Sequence, residues 1–320
     1  MRKLRTILPL LAGLGAMAAL MLCPETASES ARRGLRICGE LLIPSLLPFF
    51  VVSALLRAWG LPGVLGRLLG GVTARIWGMS GAGVSAFLLG ITGGYPLGAA
   101  VIGQLRRDGG ISREEAQRAL CFCNNTGPAF LVGAAGAGVF HSSGIGLMLY
   151  GTHVLSAALI GMLTAPRKRA EAPTERTYIS IAGFSEALTE AVKTSVETLL
   201  TVCGFVVIFS VVTGLLSDEI FRAAGTISAC TGMELTALKA LLTGILELGS
   251  GLGAMKGLSP TAGNLALAAF LIGFGGLSVQ AQSAAVLRGT DLKLTVPFFC
   301  KAAHGLLSAL LTVLLFEMIS

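Results

Sequence analysis

The stretch GAGVSAFLLGITGGYPLGAAVIGQL, Gly81 to Leu105, decides how this chain folds. It is apolar from end to end, yet Thr92-Gly93-Gly94-Tyr95-Pro96 interrupts its middle with residues that break helices. Arg57 precedes it, Arg106 and Arg107 follow it, and Lys and Arg in short loops mark the cytoplasmic side of a membrane protein. A segment whose two ends share a side does not cross once, and twenty-five residues are too few for two spans of about 20 each. The stretch is therefore expected to be a re-entrant hairpin of two half-helices, broken at Thr92–Pro96.

The composition agrees that the chain lives in a bilayer. Its 320 residues are 53% hydrophobic and 13% charged, with a mean hydropathy of +0.79. A soluble chain carries about 25% charged residues, so this one cannot coat a water-facing surface of its own size. The 43 glycines suit close helix contacts in a membrane. The pI near 9.2 reflects basic residues in short loops, and only 6% are aromatic, which leaves no stacking platform and sets nucleic acid aside. Seven cysteines, among them Cys23, Cys121, Cys123, Cys203 and Cys300 in apolar runs, read as small buried hydrophobes rather than a disulfide frame. His141, His153 and His304 are far apart, without partners at ligand spacing, and read as packing or helix-end residues.

Apolar segments are expected at 6–23, 38–58, 81–105, 115–139, 144–164, 195–216, 237–256, 260–287 and 294–317. The first, behind Arg2, Lys3 and Arg5, reads as an uncleaved signal-anchor helix. Residues 60–78, with Arg67 and Arg75 among leucines, read as an interfacial amphipathic helix. Pro166–Glu190 is a hydrophilic linker containing Arg167-Lys168-Arg169, and it separates two similar halves. Placing every basic loop in the cytoplasm makes 38–58 run inward, 195–216 run outward, and 237–256 a second hairpin broken near Glu247. The halves then have opposite orientation. Glu40, Leu42 and Ser53 match Glu197, Leu199 and Ser210 at one offset; Gly94, Leu97, Gly98 and Ala99 match Gly249, Leu252, Gly253 and Ala254 at another. The expected fold class is an all-α polytopic membrane protein, an inverted repeat with a re-entrant hairpin and a broken transmembrane helix in each half. That pattern marks secondary transporters, which bind substrate near the midplane.

Four polar interruptions lie at membrane depth: Thr92–Pro96, Asn124-Asn125-Thr126-Gly127-Pro128, the surroundings of Glu247, Gly249, Ser250 and Gly251, and Gly275–Gln282. Lipid cannot satisfy the backbone groups such breaks release, so they are tolerated only inside protein or against a water-filled cavity. Half-helix N-termini facing that cavity suit an anion. The candidate substrate-binding residues are Thr92, Gly93, Gly94, Tyr95, Asn124, Asn125, Thr126, Glu247, Ser250, Ser278, Gln280 and Gln282; interhelical glue is the structural alternative. Glu247, an acid near the centre of an apolar segment, is a candidate proton or cation coupler or substrate ligand. Lys256 and Lys301 are the cations nearest the bilayer; either could attract an anionic substrate, but both are expected to snorkel to the interface. Glycines such as Gly81, Gly83 and Gly133–Gly138 read as helix contacts. No triad pattern, metal-ligand spacing or cofactor motif appears, so the chain does not read as an enzyme.

Thr92-Gly93-Gly94-Tyr95-Pro96-Leu97-Gly98, Cys123-Asn124-Asn125-Thr126-Gly127-Pro128-Ala129-Phe130 and Gly275-Gly276-Leu277-Ser278-Val279-Gln280 resemble the sporulation integral membrane protein family of the YlbJ type. The resemblance runs from about Arg36 onward. It implies gate, or nucleoside-recognition, repeats laid out like the concentrative nucleoside transporters. It also implies an endospore-forming bacterium, a multi-pass place in the cell membrane or outer forespore membrane, and export of dipicolinate toward the forespore. The implied division is 1–35 anchor helix and loop, 36–165 first gate repeat, 166–194 cytoplasmic linker and 195–320 inverted second repeat. Nucleoside transporters resemble one another in carrying acids in both hairpin regions, whereas Thr92 stands here at the position matched to Glu247. A second carboxylate would repel a dianion, so this departure favours one. A nucleoside or neutral-solute carrier of the same fold and a non-transporting sporulation scaffold are the other readings. Expected partners are the lipid bilayer and a small anionic substrate, with a homo-oligomer by family analogy.

Overall fold

The computed structural model describes residues 2–166 and 183–319, and no strand occurs among them. Helix α1 (Arg2–Leu22) meets α2 (Pro24–Ile37) at a bend of 100° where Pro24 opens the new helix. α2 passes through a π-helical turn, Cys38–Leu42, into α3 (Ile43–Ala58). Then come α4 (Leu61–Ile76), α5 (Gly81–Gly93), α6 (Leu97–Arg107), α7 (Arg113–Ala119), a π-helical segment Ala129–Ala137 and α8 (Ser143–Leu163). The second half is α9 (Phe184–Leu215), α10 (Ser217–Thr231), α11 (Leu235–Leu246), α12 (Leu248–Gly253), α13 (Ala262–Phe274), α14 (Gly276–Val286) and α15 (Thr295–Ile319). Both halves repeat one order: a long helix, an amphipathic helix, a hairpin, a broken span and a closing helix.

The halves are inverted. Ser30 and Gly34 of α2 lie against Gly214 and Ser210 near the end of α9, while Leu55 of α3 packs on Ala187 and Ala191 near its start. The long helices are therefore antiparallel. Small residues bring them this close, since a Cβ on Gly34 would lie 2.9 Å from the Val207 Cα. Arg57, at the end of α3, and Arg107, at the end of α6, border one pocket, so 81–105 leaves by the side it entered. On that same side Arg106 pairs with Asp291, and Gln117 exchanges hydrogen bonds with the backbone of Lys293. The loops expected to be cytoplasmic in the two halves thus touch.

Among the described residues four helices are long and apolar enough to cross a membrane, Ser143–Leu163, Phe184–Leu215, the broken Ala262–Val286 and Thr295–Ile319, and two bent helix pairs pass the same test together. Leu147, Leu155, Phe299, Leu306, Leu310 and Leu314 stand exposed on α8 and α15, a surface that only lipid covers without penalty. Two apolar cores lie inside. One gathers Phe87, Ile102, Ile111 and Phe122 around the first hairpin; the other gathers Leu131, Leu149, Leu265 and Leu271 around α8 and α13.

Several expected boundaries shift. Residues 24–37, read as loop, are helical and pack on α9, because Ser30 and Gly34 offer it a small-residue face. The stretch 217–231, read as an outer loop, is α10, with Asp218 and Glu219 favouring its first turn. It is the counterpart of α4, which forms as expected and is turned 87° from α5. The basic Arg167-Lys168-Arg169 lies outside the described residues, and α9 starts at Phe184, inside the expected linker. Of the glycines expected at helix contacts, Gly136 makes one, since a Cβ there would lie 2.6 Å from the Gly146 Cα, whereas Gly133 has nothing within 4 Å.

Candidate functional site

All four helix breaks contribute to one cavity of about 70 Å³. The first hairpin supplies Thr92, Gly93, Gly94 and Tyr95, and the first broken span supplies Thr126, Gly127, Ala129 and Phe130. Glu247, Leu248 and Gly249 come from the second hairpin; Val279 and Gln282 come from α14, beyond the fourth break. Ile37, Leu42, Leu46, Phe49, Val202 and Val206 close it with apolar surface. Beside it opens a wider cavity of about 570 Å³, which shares Ile37, Phe130 and Gly249 with it. Arg33, which pairs with Glu29 at 3.3 Å, lines this vestibule with Lys239 and Lys256, and no Asp or Glu is among its described lining residues.

The polar residues near the breaks first solve a backbone problem. The turn at Gly275 leaves the last carbonyls of α13 without helical donors. Tyr95 donates its hydroxyl to the Ile272 and Gly273 oxygens at 3.2 and 3.3 Å, Thr126 Oγ1 donates to Ile272 at 3.3 Å, and Gln280 Nε2 donates to Phe274 at 3.3 Å. The first half thereby satisfies the second. Asn124 works in the other direction: its Oδ1 accepts from the Ala99 N–H at 3.3 Å and its Nδ2 donates to Ser283 Oγ at 2.8 Å. It ties the start of α6 to α14.

Glu247 is only 5% exposed and caps α12. Its two carboxylate oxygens accept from the N–H groups of Gly249 at 2.9 Å and Ser250 at 2.5 Å. An anion on the open N–H groups of a helix start is what the dipole favours, here supplied by the chain itself. By contrast, Pro96 and Pro128, which precede α6 and the π-helical segment, offer no capping side chain; Asn124 takes the Ala99 N–H of α6, while Ala129 and Phe130 at the start of the π-helical segment line the cavity without such a cap.

The structure brings together seven of the twelve candidate residues at the cavity: Thr92, Gly93, Gly94, Tyr95, Thr126, Glu247 and Gln282. Asn124 and Asn125 are buried behind its wall, and Asn125 Nδ2 is spent on the Phe122 carbonyl at 2.7 Å. Ser278 is fully buried and accepts from Gln282 Nε2 at 3.2 Å. Gln280 turns back to Phe274, and Ser250 lines the vestibule. These five serve the wall rather than the lumen.

Two residue types were read differently from the sequence. Lys301 does not snorkel. It is 2% exposed, and its Nζ donates to the Asn124 carbonyl and to His304 Nδ1, both at 2.8 Å. Nor are the histidines mere packing. His153 and His304 stack at 4.5 Å, His304 Nε2 lies 3.0 Å from the His153 carbonyl, and His153 Nε2 accepts from the Thr126 N–H at 3.1 Å. Lys301 and His304 are three residues apart, one helical turn, which was the available signal; His153 is reached only through the tertiary fold. Lys256, the other lysine, is exposed in the vestibule.

Inverted halves with paired hairpins and broken spans around a central cavity define a transporter-like membrane protein. A Gate family profile, described as nucleoside recognition, matches residues 41–166. Two outward-facing forms of the concentrative nucleoside transporter CNTnw align over 99% and 100% of this chain and 85% and 86% of theirs, with TM-scores of 0.51 and 0.50. At 14% identity that likeness is one of fold. The sporulation integral membrane protein YlbJ of Bacillus subtilis (strain 168) is 31% identical over 92% of this chain and 78% of that protein. The chain belongs to the YlbJ family of sporulation integral membrane proteins.

Proposed function

We propose that this protein is a secondary transporter of a small anionic metabolite, and that dipicolinate, moved from the mother cell toward the forespore across the outer forespore membrane, is that anion. The observation that carries the reading is the vestibule: Arg33, Lys239 and Lys256 line the way to a cavity built from helix breaks, with no carboxylate among the vestibule's lining residues. Such a funnel concentrates anions. Inside, the start of the π-helical segment at Ala129, which no side chain caps, is the group for a substrate carboxylate, with Tyr95, Thr92, Thr126 and Gln282 around it.

The test is uptake of labelled dipicolinate into proteoliposomes holding the full chain. Uptake above empty vesicles that excess uridine does not block is the expected result; no uptake under any ion gradient overturns it. A nucleoside or neutral-solute carrier is the second reading, favoured by the hydroxyls of Thr92 and Thr126 and the carboxylate of Glu247 on one cavity wall. Under that reading uridine is itself taken up and blocks any uptake of dipicolinate.

A further inference from the structure

Lys301 poses a question that the cavity lining does not answer. It is buried at membrane depth on α15, and its ammonium forms no ion pair with any Asp or Glu among the described residues. A buried charge without a partner is costly, so some other group must balance it. The neighbours do not supply an anion. His304 Nε2 faces the His153 carbonyl, which only accepts, so Nε2 carries that ring's hydrogen and Nδ1 offers its lone pair to Lys301. His153 Nε2 accepts from a backbone N–H, so its hydrogen sits on Nδ1, which is buried and unpartnered. Both rings are thus neutral, and Lys301 is the single positive charge of the cluster.

Its outlet points toward the cavity. The Lys301 Nζ lies 5.1 Å from the centre of the Tyr95 ring, and Tyr95 forms part of the cavity wall. Thr126, held by His153, is the next piece of that wall. The other titratable groups around the ammonium are Cys300 on its own helix and Cys121 and Cys123 on the connection that follows α7. No carboxylate faces it from α8, α13 or the first hairpin.

We propose that Lys301 is the charge by which the central cavity selects an anion. Its ammonium, held in place by Asn124 and His304, sits behind the Tyr95 ring, and a substrate carboxylate in the cavity balances it across that wall. This rests on the anion-transporter reading and names the residue that sets its charge preference. Tyr95 serves both ends: its hydroxyl seals the turn at Gly275, and its ring face meets the ammonium in a favourable cation–π contact.

Equilibrium binding of labelled dipicolinate to the detergent-purified full chain tests it, with Lys301→Met beside wild type. Methionine fills the lysine stem without its charge but leaves the Asn124 carbonyl and His304 Nδ1 without their donor, so the variant is expected to fold with a modestly lower melting temperature. Its dipicolinate affinity is expected to fall about tenfold or more. A variant with wild-type affinity overturns the proposal. So does a Lys301→Met protein that no longer folds, because Lys301 is then a structural donor. Wild type that binds no dipicolinate at any pH overturns the anion reading itself, and that result is read before any variant is compared.

Discussion

The two hairpins share a shape and differ in the acid that holds each. The first has none of its own; Glu115 of α7 braces its base, accepting from the N–H and hydroxyl of Ser80, both at 2.7 Å, just ahead of α5. In the second the acid is Glu247 at the tip, on the cavity. The first tip, Gly93-Gly94-Tyr95-Pro96, is held by backbone proximity instead. A Cβ on Gly90 or Gly98 would lie 1.9 or 2.0 Å from the Cys123 oxygen, so the two arms clasp the first broken span with nothing between. One scaffold, inverted, thus gives a cavity with a carboxylate on one side only. That asymmetry is where selectivity for charge can reside.

The largest effect is expected where the first hairpin has no room. Gly98→Ala must push the Cys123 carbonyl away or open the hairpin, and overpacking of this kind costs about 3 kcal/mol or more. Gly253→Ala, at the end of α12, meets nothing within 4 Å and is expected to be close to neutral. Melting temperatures in detergent compare them. In the second hairpin the close contact lies at Gly251, where a Cβ would be 2.2 Å from the Gly244 Cα, so equal stability of the Gly98 and Gly253 variants would break the view that these two matched positions differ in room.

A middle-sized effect is expected at Glu247→Gln. The change keeps size, but an amide has one accepting oxygen, so either Gly249 or Ser250 is left with its N–H facing an NH2 group. Leaving a buried donor unsatisfied costs about 1–3 kcal/mol. The variant is expected to insert, melt lower than wild type, and lose gradient-driven accumulation in proteoliposomes while retaining exchange. Full accumulation with an unchanged melting temperature would reduce Glu247 to a packing residue and leave the two tips equivalent.

How far these distinctions could be read in advance depends on what each residue answers to. Re-entrant segment 81–105 was legible because it obeys arithmetic, apolar length against the sidedness of Arg57 and Arg106. The breaks were legible because Gly, Pro and Asn cannot continue an apolar helix without cost. The helical nature of 24–37 and 217–231 was not, since their charged residues look like loop until α9 and α11 supply surfaces to pack on. At the site, the pattern showed which segments break but not which side of a break faces the lumen. Asn124 and Gln282 both carry amides; one closes α6 onto α14, while the other reaches the cavity. Lys301 misled for a related reason. Its place on an apolar helix of 25 residues fits a snorkelling lysine equally well, and only the position of α15 against α8 and the Asn124 turn buries it.

The smallest effect is expected at the seam where the halves meet outside the membrane core. Asp291, in the loop between α14 and α15, accepts from Arg106 Nε at 3.0 Å and Nη2 at 2.9 Å, and Arg113 lies 3.6 Å away. The Arg106 hydrogen bond, with the charges of Arg106 and Arg113 added, holds the Asp291 carboxyl below its ordinary range. A carboxyl depressed in the folded state contributes stability above its unfolded value of about 4, and that contribution is lost as pH falls through the lower folded value. Both partners are partly exposed, so water and salt weaken the pair. Asp291→Asn should therefore lower the melting temperature slightly at neutral pH and low salt, less than either hairpin variant does. The difference should vanish in strong acid and shrink at high salt. A cysteine at Arg288 should still label from the same side as one at Arg107 in this variant, because the hairpin geometry, not the ion pair, sets the sidedness of both loops. Labelling of those two positions from opposite sides would mean that 81–105 crosses the membrane after all, and the two hairpins would no longer be comparable.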